Sequence, residues 1–386
     1  MFFGILKKLF STEIFMLRAK LGSRYIWKYL ADELIRAHKF DRSPLKPLDV
    51  VCDITYNCNS KCLTCFRWAS APDPNELGLE DWKIVIERLK SWLGTFTITF
   101  SGGEPFLKKD MMDILRFASG KDIVVGVVSN GSLIDEALAK AISSSGIDAV
   151  CFSLNSLNPA VHNKTRGSDR SFAQVMSAIE NLRGRGKTRL AICATVIREN
   201  INDLAGLAEF VASNGLDGIN FQPLMEASII RNFDKDGKST VPPKGKLYEG
   251  LEKTNTENVD NVFEQLIAMK EKGYPINNPV KHLRYISMYL KNPDDPRLSA
   301  LPCKIGPKNF LLDPFGNVRI CQVMEPIGNV MAELPQKIWH SEKARKQREM
   351  IRSCNRACRL LNCNFKELDI ASRVRRMMRL LKRRQK

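Results

Sequence analysis

From Leu48 to about Leu224 the chain alternates short apolar runs with amphipathic stretches, and this alternation constrains its fold more than any other feature. The runs fall near 49–55, 96–101, 123–129, 149–154, 189–196 and 218–223. Two of them, DIVVGVV and RLAICATV, are apolar along most of their length, as strands buried on both faces are. Between the runs, stretches such as Leu79–Leu93, Ser171–Arg185 and Asn202–Ala212 repeat apolar residues at three- and four-residue spacing. Strand followed by helix, six times over, predicts βα units and a parallel sheet. Functional groups in such sheets collect at the C-terminal ends of the strands.

The first strand-like run ends in an unusual loop. Cys58, Cys62 and Cys65 form a C-x3-C-x2-C pattern, CNSKCLTC. Three thiolates this close can hold three corners of one metal centre and leave the fourth open. Soft sulfur ligands select iron–sulfur clusters, zinc or Cu(I). A structural zinc knuckle is the competing reading, but it normally needs a fourth Cys or His nearby. Cys52 lies in LDVVCDIT like a buried strand residue, and no His falls between Leu48 and Glu104. These residues therefore favour a cubane with one open iron, to which a small molecule can coordinate. The next run, FTITF, leads into Ser101-Gly102-Gly103-Glu104-Pro105. Glycines there let the backbone approach a ligand closely, and the adjacent carboxylate can pair with an ammonium group.

On these two motifs the chain resembles the radical SAM superfamily, whose marks are C-x3-C-x2-C and GGEP. The resemblance continues through VVSNG (Val127 to Gly131) and CFSLNSLNPAVHNKTRG (Cys151 to Gly167). It implies a partial (β/α)6 TIM-like barrel holding a 4Fe-4S cluster on Cys58, Cys62 and Cys65. The open iron of that cluster chelates S-adenosylmethionine, and reduction yields a 5′-deoxyadenosyl radical that abstracts hydrogen. It also implies cofactor contacts from Gly102, Gly103, Glu104, Ser129, Asn130, Ser153, Asn155 and Arg166, and a reductant such as flavodoxin or ferredoxin. Asn155 stands where the family usually has Asp, and Thr64 stands where an aromatic is common. His162 is expected to shape its loop rather than act as a base. Cys151 and Cys193 sit in apolar strand patterns and are expected to be packed thiols, not ligands.

Beyond Met225 the composition changes. Residues 229–258 are polar with Gly and Pro and predict an extended connection. Helices are expected over Val259–Lys272 and Pro279–Leu290. Five cysteines follow: Cys303, Cys321, Cys354, Cys358 and Cys363. FLLDPFGNVRIC between the first two reads as a hairpin turned by Pro314 and Gly316. This region resembles the SPASM/twitch extension of radical SAM enzymes, which implies an auxiliary 4Fe-4S cluster. Five cysteines suit one cubane, with Cys303, Cys321 and two of the last three as ligands. A zinc ribbon is the alternative. Disulfides fit metal-like spacing poorly, and the chain shows no secretion signal.

The net charge of +18 is concentrated at the ends, with +5 in residues 1–40 and +7 in 366–386. Both ends pair basic residues with an apolar stripe, Phe2, Phe3, Leu6, Leu9 and Phe10 in one and Ile370, Val374, Met378 and Leu381 in the other. Basic amphipathic helices of this kind lie in an anionic membrane interface. Packing on the barrel, RNA binding and a solvated tail are the alternatives, and nucleic acid is the least expected partner. No stretch approaches the 18 or more apolar residues of a transmembrane helix. The expected layout is a basic N-terminal region (1–47), a barrel (48–228), a connection (229–300), an iron–sulfur domain (301–365) and a basic tail (366–386). The expected function is a radical S-adenosylmethionine enzyme on the cytoplasmic membrane face, acting on a membrane-resident or lipid-linked substrate. A peptide maturase is the alternative among enzymes, and a zinc-stabilised RNA-binding scaffold the alternative among non-enzymes.

Overall fold

The computed structural model describes residues 46–47, 49–65, 67–69, 73–224, 258–354 and 357–365. The amphipathic helices expected in 1–45 and 366–386, and the connection expected up to residue 257, lie outside the described residues.

Six parallel strands form in the order the sequence predicts: β1 (Asp49–Thr55), β2 (Thr97–Gly102), β3 (Val124–Ser129), β4 (Ala149–Ser153), β5 (Arg189–Val196) and β6 (Gly218–Pro223). Each pairs with its neighbour in sequence, so the order never reverses and the sheet winds in one direction. That is the topology of a barrel rather than of a doubly wound sheet, whose order reverses at a switch point.

The crossovers include α1 (Leu79–Leu93), α2 (Met111–Ser119), α3 (Glu136–Ser144), α4 (Pro159–Arg166), α5 (Ser171–Leu182) and α6 (Leu204–Ser213). The start of α1 is fixed by Asp81, whose carboxylate accepts from the Gly78 N–H at 3.0 Å. At α3 the carboxylate of Asp135 accepts from Leu138 N at 2.8 Å. Such caps each contribute about 1 kcal/mol. The helices bury Trp82, Ile86, Leu89, Ile114, Val175 and Leu207 against the outward residues of the strands, among them Val50, Ile98, Phe100, Phe152 and Ile192.

The C-terminal part joins the same sheet. The expected hairpin is present as β7 (Asn309–Leu312) and β8 (Asn317–Arg319), antiparallel, followed by β9 (Gly328–Asn329). β7 also pairs parallel with β1, Val50 opposite Phe310 and Cys52 opposite Leu312. One hydrophobic core therefore runs from the barrel into this region, with Trp92, Phe310 and Trp339 ring to ring at about 6 Å.

The opposite edge is covered as well. After α7 (Val259–Glu271), the segment Pro275–Asn278 lies along β6: Ile219 N donates to Pro275 O, and Asn277 N donates to Ile219 O. The Asn278 side chain bonds both backbone groups of Phe221, at 2.8 and 2.7 Å. An uncovered strand edge is a template for aggregation, and this strap removes it. α8 (Val280–Lys291), α9 (Pro296–Ser299), α10 (Pro335–Trp339) and α11 (Glu342–Arg352) complete the chain. Among the described residues no helix is long and apolar enough to cross a membrane.

Candidate metal centre and its rim

The cysteine loop leaves the C-terminal end of β1 and is clamped from two sides. On the β2 side Gly103 N donates to Thr55 O and Glu104 N to Asn57 O, both at 2.8 Å. A Cβ on Gly103 would meet Asn57 O at 2.0 Å, so only glycine permits this approach. On the β4 side Leu63 N donates to Thr165 O at 3.0 Å. Gly167, at φ +67, ends α4 against the loop, where a Cβ would meet Lys61 O at 2.2 Å. The two glycines hold the GGE segment and the end of α4 directly against the metal-binding loop.

Asn130, at the end of β3, completes the clamp. Its side-chain amide donates to Asn59 Oδ1 at 2.9 Å and Ser60 Oγ at 3.1 Å. Its backbone N–H donates to Glu104 Oε2 at 2.8 Å, and Ser129 Oγ donates to Glu104 Oε1 at 2.8 Å. Phe106 N adds a third donor to the same carboxylate, at 3.3 Å. Glu104 is only 1% exposed. Burial pushes its carboxyl up, opposed by these three hydrogen bonds and by Arg166. The sequence reading aimed Glu104 at an ammonium group. The structure turns its carboxylate inward, where three of its roughly four acceptor directions are filled.

Asn155 is likewise occupied. Its Oδ1 accepts from Thr195 N, its Nδ2 donates to Thr165 Oγ1, and it is 1% exposed. In this structure it braces the β4 and β5 ends. His162, as expected, shapes the loop: its Nδ1 accepts from Asn155 N at 3.2 Å. Burial, with Arg166 nearby, takes its pKa down to about 3, so the ring is neutral at pH 7.

Arg166 is half-buried at the end of α4 and lies within electrostatic reach of Cys58, Cys65 and Glu104. Cys62 is buried, and Cys58 and Cys65 are half-buried. Burial pushes the Cys58 thiol up to about 11 and also raises Cys65, and Cys62 raises both further. Three thiols that repel one another as thiolates, with a guanidinium beside them, suit a cationic soft-metal cluster. Behind the loop, Arg67 pairs with Asp53 of β1 and lies 4.4 Å over the Tyr56 ring.

The five C-terminal thiols are also brought together. Burial pushes Cys358 up to about 12, and Cys321, Cys303, Cys354 and Cys363 all add to the rise, so all four lie within electrostatic reach of it. Arg359 positions them by donating to the carbonyls of Ser299, Leu301 and Cys354. Asn364 ties the Cys363 turn to the Cys303 loop through Pro302 O at 3.1 Å. His282 of α8 anchors the same turn, with Nε2 2.7 Å from Leu360 O and its ring stacked on Phe365 at 4.0 Å. The donor set is thiol alone, without His. Among the described residues no three His, Cys, Asp or Glu side chains are close enough to hold a single ion.

Sequence reasoning missed Asn59, Ser60, Asn278, His282, Arg359 and Asn364. These are polar residues whose partners are remote in sequence, and only the polar type itself hinted at them.

A barrel-wound parallel sheet with a three-cysteine loop at its first strand end, and a second thiol cluster docked on its edge, defines a two-site iron–sulfur protein. Residues 53–211 match the model of the radical SAM superfamily, and residues 303–364 match that of an iron–sulfur cluster-binding domain, SPASM. The chain belongs to the radical SAM superfamily and carries a SPASM domain. Members of that superfamily are enzymes that use S-adenosylmethionine and a 4Fe-4S cluster, and SPASM domains bind auxiliary iron–sulfur clusters.

Among curated proteins the chain is 28% identical over 249 residues to Fe-coproporphyrin III synthase of Methanosarcina barkeri, covering 64% of this chain and 57% of that one. It is 29% identical over 177 residues to the mycofactocin maturase MftC of Mycolicibacterium smegmatis, covering 46% and 45%. The chain thus spans about half the length of these curated relatives. Among solved structures, Streptococcus suis SuiB bound to precursor peptide SuiA has the same fold, with a TM-score of 0.58 at 16% identity, covering 81% of this chain and 72% of that one.

Proposed function

We propose that this chain is an enzyme that cleaves S-adenosylmethionine reductively and uses the resulting radical to abstract hydrogen from a peptide substrate. The observation that carries it is the convergence of Cys58, Cys62 and Cys65 with Glu104, Asn130 and Arg166 on one rim of the sheet. Cys58, Cys62 and Cys65 would hold a 4Fe-4S cluster, which would supply the electron for reductive cleavage of the sulfonium. The chain's own residues hold the geometry. Gly102 and Gly103 let the GGE segment pack directly against the end of β1 and the cysteine loop, and Arg166 would face the cofactor's carboxylate. Ser129, Asn130 and the inward Glu104 keep the loop in place, and Ser153 lines the rim.

The five thiols at Cys303, Cys321, Cys354, Cys358 and Cys363 hold one auxiliary cluster on four ligands. The reductant is a flavodoxin or ferredoxin. The division into a barrel (48–228) and an iron–sulfur domain (301–365) follows these two sites. A peptide substrate is supported by the maturase among the relatives and by the precursor peptide bound to SuiB. The decisive experiment is anaerobic incubation of reconstituted protein with dithionite and S-adenosylmethionine. Release of 5′-deoxyadenosine, abolished in Cys62→Ala, is the expected result, and its absence from the loaded wild type overturns the reading.

A second reading keeps the radical chemistry but places the chain on an anionic membrane face with a lipid-linked substrate. It is supported by the +5 and +7 charges of the two ends and by nothing in the described residues.

A further inference from the structure

Cys151 of β4 and Cys193 of β5 touch, Sγ to Sγ at 2.6 Å, and neither belongs to the sites above. The sequence reading took both as packed thiols; the structure packs them against each other on the face turned away from the helices. Along these strands Val150, Phe152, Ile192 and Ala194 are closed in under the helices. Ala149, Cys151, Ser153, Ala191, Cys193 and Thr195 alternate with them and remain half-exposed. Successive side chains of a strand point to opposite faces, so this second set faces the inside of the sheet's curve. Cys193 stands in register with Ser153 at the strand end. Cys151 lies two residues deeper, about 7 Å below the rim that carries the cysteine loop.

Either sulfur can donate to the other. Their contact raises the Cys151 thiol and lowers Cys193, whose sulfur also meets Asn220 Nδ2 at 4.0 Å. A thiol S–H is weaker than an aliphatic C–H, so a carbon radical formed beside it takes its hydrogen atom. A neighbouring thiolate then stabilises the thiyl radical left behind.

We propose that Cys151 and Cys193 are the hydrogen-atom donor of this barrel, returning a hydrogen to the carbon radical made at the rim. This rests on the radical chemistry proposed above. The C–H bond forms as one S–H of the pair breaks homolytically, and the thiyl so formed joins the thiolate of the other cysteine in a disulfide radical anion. That anion gives its one extra electron to a one-electron acceptor, an oxidised iron–sulfur cluster or flavodoxin, and becomes a disulfide. A dithiol reductant then returns two electrons and two protons, one of which leaves to solvent as the thiolate re-forms before the next turnover. The substrate therefore leaves with a hydrogen drawn from the solvent-exchangeable pool.

Two measurements test the pair. Holoenzyme freed of small thiols is incubated in D2O with S-adenosylmethionine and dithionite, without substrate, and the deuterium in each molecule of 5′-deoxyadenosine is read by mass spectrometry. In wild type the S–D bonds quench the radical. The deuterium fraction should be several-fold higher than in Cys151→Ser/Cys193→Ser, because a serine O–H is too strong to give up a hydrogen atom. Equal fractions overturn the donor role while leaving cofactor cleavage intact. No 5′-deoxyadenosine at all from wild type overturns the cleavage reading, and the donor role with it. Separately, peptide mapping of wild-type holoenzyme after diamide should recover a Cys151–Cys193 disulfide, and failure to close that bond overturns the pair whatever the cofactor does.

Discussion

Asn130 donates its backbone N–H to Glu104 at 2.8 Å while its side chain reaches Asn59 and Ser60 in the cysteine loop. Three motifs separated by some 70 residues are thereby joined through one asparagine. The loop's conformation is set before any cluster arrives, which is the preorganisation a metal site needs from its surroundings.

The first prediction follows from the two thiol sets. Anaerobic reconstitution should load about eight irons and eight sulfides per chain, as two cubanes. Replacing Cys58, Cys62 and Cys65 together by Ala should leave about half of each. Iron and acid-labile sulfide assays check this, and stoichiometric zinc without sulfide would contradict it.

Glu104→Ala removes the acceptor for Ser129, Asn130 and Phe106. A buried donor left without a partner costs about 1–3 kcal/mol. The variant should still take up the radical cluster, because no iron ligand is lost, but should bind S-adenosylmethionine more weakly. Equilibrium binding of the cofactor to reconstituted protein is the measurement, and unchanged affinity would show that the Glu104 network has no bearing on it.

Gly103→Ala should be harsher than an ordinary surface change, since its Cβ would overlap Asn57 O at 2.0 Å. Overpacking of this kind costs roughly 1–3 kcal/mol, and the backbone must shift to relieve it. We expect a lower thermal midpoint together with loss of the barrel cluster, while the C-terminal cluster still assembles. Gly184→Ala, with nothing within 4 Å of its Cβ but a φ of +75, is the control for backbone strain without a clash.

Much of this arrangement was legible in the sequence. The six parallel strands fall within a residue or two of their expected limits, because each is a short apolar run between polar stretches. RLAICATV was expected to be buried on both faces, but its residues alternate between buried and half-exposed, since only the helix-facing side is fully covered. Helix ends were less legible. The helix expected to reach Arg185 stops at Leu182, where Arg183 turns extended ahead of two positive-φ glycines, Gly184 and Gly186. The helix expected from Asn202 begins at Leu204, because Asn200 accepts the Ile197 N–H and holds residues 198–203 in a 3-10 turn. The β7–β8 hairpin was legible from its turn, but contacts between segments remote in sequence were not. Neither the docking of β7 on β1 nor the contact of Cys151 with Cys193 is a local property of the chain. Which way Glu104 turns depended on donors at 129 and 130, which no spacing rule supplies.

His282 gives a pH prediction. Burial takes its pKa from the usual 6.5 down to about 4, opposed by its bond to Leu360 O. Above pH 6.5 the ring is neutral in both folded and unfolded chains and has no effect on the balance. As pH falls from 6.5 towards 4, the unfolded chain binds a proton that the folded chain refuses, so stability drops by up to about 3 kcal/mol. His162, lowered to about 3, acts in the same direction. Urea midpoints of wild type should therefore fall between pH 7 and pH 5 by more than those of His282→Gln. Equal falls would mean that His282 protonates in the folded chain.

The last prediction separates the two substrate readings through the basic ends. A single short amphipathic segment would be a weak anchor, and stable attachment to a membrane generally takes more than one. If both segments act at a membrane, the full chain should co-sediment with anionic vesicles and dissociate as salt rises, because the attraction decays within a Debye length. Deleting residues 1–12 or 369–386 should each weaken binding, and deleting both should free the protein with its two clusters still assembled. If the stripe of Ile370, Val374, Met378 and Leu381 packs on the barrel instead, removing it should lower the thermal midpoint and leave vesicle binding unchanged. That outcome would remove the support for a lipid-linked substrate and leave the peptide reading standing on the barrel alone.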